Sequence, residues 1–395
     1  MSGLLDDLAD IGRDPHRGGY SRHVFDDADR RSRKWFADRA AACGLTTTTD
    51  RNANLWAWWG PPGPDAVVTG SHLDSVPGGG AFDGPLGVAS AFAAVDSLRQ
   101  AGFRPARPVA VVAFAEEEGG RFGVPCLGSR LLTGAIDPDR ARALRDADGT
   151  TFAEAMRAAG GAPEHLGRDE EALRHLGRFV ELHVEQGRAL DRAVGVARSI
   201  DAHGRWRFRF TGRGDHAGTA RLDDRRDPML PAAALVTAAR RVAAATPDGR
   251  ATVGRLRPVP GGTNVIASAV DVWLDARAPG DARVRDVVAE LTVLARQAAA
   301  DEGCAVVVTE ESRSGAVRFD AALRDRCAAL LDDAPALPTG AGHDAGVLAA
   351  EVPTAMLFVR NPTGISHAPQ EHAEPDDCAA GVRALTRVLR ELAAP

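Results

Sequence analysis

The sequence is nearly free of lysine, since Lys34 is the only lysine among 48 basic residues. Lys34 lies in a charged helical segment that is remote from any glycine-rich loop. Schiff-base catalysis and nucleotide binding by a P-loop both require a lysine at a defined place. The sequence therefore argues against both mechanisms.

Cysteine is also scarce, and the five cysteines are far apart with no C-x-x-C pair: Cys43, Cys126, Cys304, Cys327 and Cys378. This spacing indicates neither a thiolate zinc site nor a disulfide framework. Their odd number fits reduced thiols, most of them buried.

Long apolar runs and a basic charge balance are absent as well. The first residues, MSGLLDDLADIG, have neither a basic segment nor an apolar one that would suggest a signal peptide, and no later run is long enough for a membrane span. The formal net charge is -6, which argues against a nucleic-acid partner. We therefore expect a cytoplasmic enzyme that acts on a small molecule, with no membrane or nucleic-acid partner.

The 395 residues, 44% of them hydrophobic, are enough for two domains. Apolar runs at 66–70, 108–115 and 178–184 predict buried strands, and 86–101 predicts a helix between two of them. This alternation is typical of an α/β domain with a mostly parallel sheet, whose chemistry gathers at the carboxyl ends of the strands.

A segment of different character interrupts this pattern at 202–316. Its predicted elements follow the order βαββαβ: 205–211, 227–245, 251–257, 270–276, 282–300 and 304–309. We therefore predict a ferredoxin-like domain at 202–316, inserted into a catalytic domain formed by 1–201 and 317–395. Helices near 320–331, 343–350 and 375–393 surround the strand predicted at 353–359.

Two motifs at strand ends offer metal ligands. The strand 66–70 leads into His72, a possible metal ligand, and Asp74, whose carboxylate would orient the His72 ring. The alternative is a surface hydrogen bond between the two, which is the more common role of a lone H-x-D. The glycine-rich segment 77–84 then brings Asp83 to the start of a helix. A carboxylate can bridge two cations, whereas the alternative role of Asp83 is to cap that helix.

Three adjacent glutamates, residues 116–118, follow the buried strand 108–115. Such like charges repel one another unless cations or protons neutralise them, and a solvated acidic loop is the alternative. We assign Glu118 to a metal and Glu117 to the general base and acid.

Two more histidines complete the set, His183 at the end of a strand and His367 in a later loop. Taken together, the sites offer two histidines plus a carboxylate as a possible ligand set for each of two ions that share Asp83. Imidazole and carboxylate ligands suit Zn, Mn, Co or Ni and do not choose among these metals.

With these residues in place, the sequence resembles the M20 metallohydrolase family, and within it the branch of N-carbamoyl-L-amino acid hydrolases and allantoate amidohydrolases. The resemblance spans nearly the whole chain and rests on six motifs: GSHLDSVPGGGAFDGPLGV (70–88), AEEEGGRFG (115–123), ELHVEQG (181–187), DHAGT (215–219), GAGHDA (340–345) and GISHAP (364–369).

The resemblance implies a zinc-aminopeptidase-like catalytic domain with two divalent metal ions. Its ligands would be His72, Asp83, Glu118, His183 and His367, with Glu117 as the catalytic base and Asp74 beside it. It also implies that 202–316 is a lid and that the chain is a homodimer through this lid. Peptidases of the clan commonly have a carboxylate at the position of His183, so ELHVEQG favours the amidohydrolase branch.

The resemblance further implies substrate contacts in the lid. Arg277 would bind the substrate carboxylate with the help of Asn264, and His216 would stabilise the oxyanion. Gln186 and His343 would contact the ureido group or its surroundings. Glu117 would take a proton from the attacking water and return it to the leaving nitrogen, and the carbamate would break down to carbon dioxide and ammonia.

Three other functions compete with this hypothesis. An M20 peptidase or aminoacylase would cleave dipeptides or N-acyl amino acids and release no ammonia. A binding protein without metal is disfavoured, because every expected ligand position holds a competent residue. A serine or cysteine hydrolase is disfavoured because the sequence lacks G-x-S-x-G and any paired Cys and His signal.

Overall fold

The computed structural model describes residues 2–395, so Met1, the first residue of the predicted catalytic domain, lies outside the described part. The chain forms two compact units. Residues up to Ser199 and Arg318–Pro395 make up the first, and Ile200–Val317 make up the second. The sequence placed the insertion at 202–316.

The strands, in chain order, are β1 (Thr46–Thr49), β2 (Leu55–Trp59), β3 (Ala66–His72), β4 (Val109–Phe114), β5 (Leu176–Val184), β6 (Val194–Ile200), β7 (Ala202–Thr211), β8 (Asp215–His216), β9 (Arg250–Val259), β10 (Val265–Ile266), β11 (Ala269–Ala278), β12 (Ala305–Ser314), β13 (Val317–Arg318), β14 (Ala336–Thr339) and β15 (Thr354–Val359).

The α-helices are α1 (Ser2–Asp6), α2 (Asp27–Ala42), α3 (Pro85–Gln100), α4 (Leu127–Thr133), α5 (Pro138–Ala143), α6 (Phe152–Ala158), α7 (Glu170–Arg174), α8 (Met229–Ala245), α9 (Asp281–Asp301), α10 (Ala321–Leu330), α11 (Asp344–Leu348) and α12 (Pro375–Ala393). Within residues 2–395, no helix combines the length and the apolar character that crossing a membrane requires.

The first unit is built on a nine-stranded sheet in the order β1-β2-β4-β3-β5-β15-β6-β13, with β14 paired to β6. The four central strands, β4, β3, β5 and β15, are parallel to one another. Every residue of β3, β4 and β15 is buried, which explains why these strands are continuous apolar runs in the sequence. The predicted α/β class with a mostly parallel sheet is confirmed.

The parallel register brings the carboxyl ends of the central strands to one edge of the sheet. His72, the last residue of β3, lies opposite Phe114 at the end of β4. His183, near the end of β5, lies opposite Phe358 of β15. Side chains that leave these ends are therefore neighbours in space although they are remote in sequence.

The second unit has its own sheet and its own core. Its strands lie in the order β12-β7-β11-β9, and every pairing is antiparallel. Burial alternates along β7, whose Trp206, Phe208 and Phe210 pack into a core with buried residues of α8 and α9. The opposite face of β7 carries arginines, which is the pattern of a sheet with helices on one side only. The order β7-α8-β9-β11-α9-β12 is a βαββαβ arrangement.

Candidate metal centre

Five predicted ligands converge at the carboxyl edge of the parallel sheet. His72 ends β3, His183 lies in β5, and Glu118 follows β4. Asp83 comes from the loop before α3, and His367 comes from the loop between β15 and α12. Two strands and three loops of the first unit thus deliver these side chains to one place.

Asp83 lies at the centre of this cluster, and its two carboxylate oxygens face different neighbours. Its Oδ1 is 3.5 Å from Nε2 of His72 and 3.2 Å from Nε2 of His183. Its Oδ2 is 3.4 Å from Nε2 of His367, and that nitrogen is 3.3 Å from Oε2 of Glu118. Among the five predicted ligands, the donor atoms form two groups that could each hold a metal ion, His72–Asp83–His183 and Asp83–Glu118–His367, and Asp83 belongs to both.

Main-chain carbonyl groups orient the two buried histidines. The Nδ1 of His72 lies 3.0 Å from the carbonyl oxygen of Asp74, and the Nδ1 of His183 lies 2.8 Å from that of Val184. A proton on each Nδ1 satisfies these contacts, which leaves the lone pair of each Nε2 directed toward Asp83. This is the tautomer that a metal-binding histidine needs.

Gly84 allows the Asp83 loop to approach His72. It has a φ of 84°, in the left-handed region, and a Cβ at this position would lie 2.4 Å from the His72 ring. Gly84 is also the residue that caps α3, and no side chain caps this helix end. Asp83 is therefore not the helix cap that the sequence left as an alternative.

The hydrogen bond expected between His72 and the Asp74 carboxylate is not the one that forms. The carbonyl oxygen of Asp74 is closer to the ring, because the carboxylate Oδ1 is 3.6 Å away. The carboxylate instead accepts the main-chain N–H groups of Glu117 and Glu118, at 3.1 and 3.0 Å. Asp74 therefore fixes the backbone that carries the predicted base, and it orients His72 through its own main chain.

Burial and neighbouring charges both shift the pKa values of this cluster. Burial would lower the pKa of His72, but the carboxylates of Glu117 and Asp83 outweigh burial and raise it well above the ordinary value. Burial raises the pKa of Glu117 well above the ordinary value, and Asp344 adds to this effect. Burial and the Asp83 carboxylate likewise raise the pKa of Glu118 well above the ordinary value. The crowded carboxylates thus stabilise any positive charge placed among them.

The residues present fit a pair of metal ions. The Nε2 atoms of His72 and His183 and the Oε1 of Glu118 are buried and have no hydrogen-bond partner among residues 2–395. A buried polar atom without a partner destabilises a fold unless a ligand satisfies it. Imidazole nitrogens and carboxylate oxygens are ligands of first-row divalent cations.

Two predicted substrate contacts also lie at this edge of the sheet. Gln186 donates from Nε2 to Oδ2 of Asp83 at 2.7 Å. The ring of His343 is 4.6 Å from that of His183, and burial together with His183 lowers the pKa of His343 well below its ordinary value. His343 is therefore a neutral ring beside the first ligand group.

The remaining predicted contacts belong to the second unit. The strand pairing of β8 with β10 brings His216 and Asn264 together, and the carbonyl of Asn264 accepts the N–H of Ala217 at 3.0 Å. Arg277 lies in β11, where its Nε and Nη2 donate to the two oxygens of Asp275 at 2.8 and 3.1 Å. The side chain of Arg277 thus has a carboxylate partner within its own unit.

Sequence reasoning missed two buried glutamates next to the ligands. Glu371 accepts the N–H groups of Phe82 and Asp83 on its Oε1, at 3.0 and 2.9 Å. Glu181 accepts Ser71 Oγ and the N–H of Ala345. A signal existed for Glu181, because a glutamate inside a buried strand needs partners. Glu371, four residues after His367, carried no comparable signal.

Comparison with known proteins agrees with this geometry. The model of the peptidase family M20/M25/M40 matches residues 68–391. The N-carbamoyl-L-amino acid amidohydrolase of Geobacillus stearothermophilus is 36% identical over 98% of this chain and 97% of its own length. The allantoate amidohydrolase of Escherichia coli K12 is 33% identical over 98% of this chain and 96% of its own length.

A solved structure gives the same result. The amidase of the hydantoinase/carbamoylase family from Burkholderia vietnamiensis superimposes with a TM-score of 0.89 at 32% identity, covering 100% of this chain and 97% of its own. The match of the family model, the relatives of nearly equal length and the arrangement of donor atoms all agree. This chain belongs to the peptidase family M20/M25/M40.

Proposed function

We propose that this protein is a metal-dependent amidohydrolase that cleaves the carbamoyl C–N bond of an N-carbamoyl-L-amino acid or a related ureido acid such as allantoate. The products would be ammonia, carbon dioxide and the remaining amine. The observation that carries the proposal is Asp83, whose two oxygens each face a separate group of ligands. The names of two relatives, an N-carbamoyl-L-amino acid amidohydrolase and an allantoate amidohydrolase, support the ureido substrate.

The cofactor in this proposal is a pair of divalent cations, drawn from Zn, Mn, Co or Ni. His72 and His183 would hold one, Glu118 and His367 the other, and Asp83 both. Such cations polarise a carbonyl oxygen and lower the pKa of a water toward neutrality. These ligand types bind all four metals, so the metal must be identified by measurement.

Glu117 would move the protons of the reaction. Its Oε2 is 3.6 Å from Nε2 of His72, so its carboxylate borders the first ligand group. The Asp74 carboxylate accepts the main-chain N–H of Glu117, which holds the backbone that carries Glu117. Because burial raises its pKa, Glu117 can keep a proton taken from the attacking water until the leaving nitrogen accepts it.

Substrate recognition would use the contacts that the sequence predicts. Arg277 and Asn264 would bind the substrate carboxylate and His216 the developing oxyanion, while Gln186 and His343 would contact the ureido group. The fork of Arg277 already binds a carboxylate, that of Asp275, in the geometry that suits a substrate carboxylate. We also propose a homodimer formed through 202–316 and a cytoplasmic location, which light scattering and cell fractionation would test.

The test is a panel of substrates given to purified enzyme loaded with Mn²⁺. We expect ammonia from at least one of an N-carbamoyl-L-amino acid, allantoate, ureidoglycolate and β-ureidopropionate, and none from enzyme stripped by a chelator. A dipeptide and an N-acetyl amino acid serve as controls for the peptidase and aminoacylase alternatives. Cleavage of only these controls, or turnover that survives chelation, would refute the proposal.

A further inference from the structure

The Asp83 loop is paired with a segment near the start of the chain. Tyr20 and Gly79 exchange both main-chain hydrogen bonds, with N–O distances of 3.0 and 2.8 Å. The N–H of Gly78 donates to Oγ of Ser21 at 3.0 Å. The segment therefore holds this loop as a neighbouring strand would, by satisfying its backbone N–H groups.

Residues 12–22, which we name the N-terminal clamp, form a closed turn of their own. The carboxylate of Asp14 accepts the main-chain N–H groups of His16 and Arg17, both at 2.9 Å. It also accepts the hydroxyl of Ser21 at 2.7 Å, the same hydroxyl that accepts an N–H of the Asp83 loop. Asp14 thus fixes both the turn and the contact between the turn and the loop.

The guanidinium of Arg22 anchors the clamp in the first unit. Arg22 is buried, and its Nε and Nη2 donate to the carbonyl oxygens of Ile11 and Leu8, both at 3.0 Å. Its main chain is also bonded to Ser75. The N–H of Arg22 donates to Oγ of Ser75, and the carbonyl of Arg22 accepts the N–H of Ser75, both at 3.0 Å. The clamp is therefore attached at a buried point as well as at its turn.

The turn of the clamp also contacts the loop that carries His367. A Cβ at Gly18 would lie 3.5 Å from Cγ of Pro369, two residues after His367. A Cβ at Gly19 would lie 2.2 Å from the carbonyl oxygen of Gly79. Gly19 has a φ of 63°, so glycine fits here without the strain that a side chain would cause. The turn thus lies against two loops that each carry a metal ligand.

The clamp contacts one ligand group more than the other. His72 and His183 of the first group lie in strands of the central sheet. Asp83 and His367 of the second group lie in the two loops that the clamp contacts. We propose that the N-terminal clamp sets the affinity of the second group for its cation by holding these two loops together. The inference rests on the proposed dinuclear centre, and it makes the residues of the clamp positioning residues for the second cation.

The experiment measures binding of Mn²⁺ to the full-length protein after removal of metals, with free Mn²⁺ followed by its electron paramagnetic resonance signal. We expect two equivalents to bind the unaltered protein. In Gly19→Ala the new methyl group meets the carbonyl of Gly79, so the clamp must separate from the loop. The second equivalent should then bind about tenfold more weakly or worse, which is typical when residues that orient ligands are lost, and the first should lose less affinity.

Gly102→Ala is the matched control for this substitution. Gly102 has a similar φ of 69°, so alanine causes similar backbone strain there. Apart from its chain neighbours, however, a Cβ at this position would meet no other residue of 2–395 within 4 Å. The binding curve of this variant should match that of the unaltered protein. A difference between the two alanine variants therefore reports the contact with Gly79 and not the strain.

Ser21 provides a second and milder test, which also applies if Gly19→Ala folds poorly. Ser21→Ala removes the acceptor of the Gly78 N–H. It should weaken binding of the second Mn²⁺ by about twofold to tenfold, the size of the net contribution of a hydrogen bond. Ser21→Thr keeps the hydroxyl, so it should bind the second Mn²⁺ more tightly than Ser21→Ala.

Three results would overturn the inference in different ways. If Gly19→Ala and Ser21→Ala bind the second Mn²⁺ as tightly as the unaltered protein, the two loops hold their positions without the clamp. If these variants weaken both equivalents to the same extent, or if Ser21→Thr binds no better than Ser21→Ala, the segment stabilises the fold and does not position the second ligand group. If the unaltered protein binds fewer than two equivalents, the dinuclear centre itself is wrong and this inference falls with it.

Discussion

The two units of the protein present their predicted functional residues in opposite ways. In the first unit His72, Asp83 and His183 are almost fully buried and are held by main-chain or side-chain contacts, although the fifth ligand, His367, is half exposed. In the second unit His216 and Asn264 are exposed and lie on or beside two strands of two residues each. One unit holds a largely buried charged cluster, whereas the other offers residues at its surface.

This difference separates the effects that substitutions should have. A buried carboxylate cluster depends on every member, because removing one leaves the others with unbalanced charge. An exposed residue can change without disturbing its neighbours, so its loss should leave the metal content unchanged. The first unit should therefore control metal content and turnover. In the second unit, Arg277 and Asn264 should affect KM, and His216 should affect kcat.

The largest effect should come from Glu117→Gln. The amide keeps the size of the side chain but cannot accept the proton of the attacking water. General acid–base groups contribute about 10²–10⁴ in rate, so we expect kcat to fall by about this factor while the metal content stays at that of the unaltered enzyme. Steady-state kinetics and atomic emission on the same preparation measure both quantities.

Glu164→Gln is the control for this substitution, because Glu164 is an exposed glutamate of the first unit. It should leave both kcat and metal content unchanged. Loss of metal in Glu117→Gln would mean that Glu117 is a ligand and that the roles assigned to Glu117 and Glu118 are exchanged.

The next largest effect should come from Glu371→Ala. Glu371 accepts two main-chain N–H groups of the Asp83 loop and packs against Gly80, where a Cβ would lie 2.3 Å from its carboxylate. Without it the loop loses its anchor, and residues that orient a ligand typically contribute 10–100-fold to metal affinity. We expect a loss of about this size in a metal titration.

Glu374→Ala, only three residues away, provides the matched control, because the Glu374 side chain is exposed and pairs with His372. Glu371→Gln, which keeps an acceptor oxygen, should retain more affinity than the alanine variant. Equal metal affinity in Glu371→Ala and the unaltered enzyme would show that the Asp83 loop holds its position without this anchor.

The comparison of the two units also explains how far the sequence could predict the fold. The strands of the first unit are buried on both faces, so they appear as apolar runs, and β15 was expected at 353–359 and runs from Thr354 to Val359. In the second unit, β12 was expected to end at 309 but continues to Ser314. Its last residues are polar because the strand is exposed there, so their pairing with β7 left no hydrophobic pattern.

The candidate site shows the same limit. Side chains that leave strand ends could be predicted, since parallel strands bring their carboxyl ends together. The role of Glu371 could not be predicted, because its carboxylate accepts the main-chain N–H of Asp83, 288 residues earlier in the chain. Nearly every residue type has a backbone N–H, so a hydrogen bond to it does not restrict which residue donates. The sequence at the donor position therefore contains no signal of this contact.

For the second unit the critical test is Arg277→Ala. If Arg277 binds the substrate carboxylate, its loss should raise KM by about 10–100-fold, since a hydrogen bond to a charged group contributes about 1.5–3 kcal/mol. Metal content should not change. Arg240→Ala, at an exposed position on α8, is the control and should show the KM of the unaltered enzyme. An unchanged KM in Arg277→Ala would mean that this arginine does not bind the substrate carboxylate.

The smallest effect should come from Cys126, a buried residue whose Sγ lies 3.4 Å from Oε1 of Glu117. Its main-chain N–H also donates to the carbonyl of Glu117, a bond that substitution of the side chain preserves. A thiol is a weak donor, so Cys126→Ala should lower kcat by only about twofold to fivefold, near the lower end of what a hydrogen bond contributes. KM and metal content should stay constant.

Cys126→Ser distinguishes the hydrogen bond from simple packing, because the hydroxyl is a stronger donor in nearly the same space. It should keep the kcat of the unaltered enzyme, and Cys327→Ala, at a buried cysteine of α10, should also keep it. If serine lowers kcat as much as alanine does, the thiol only fills space beside Glu117. In that case the backbone contacts with Asp74 and Cys126 are sufficient to position the base.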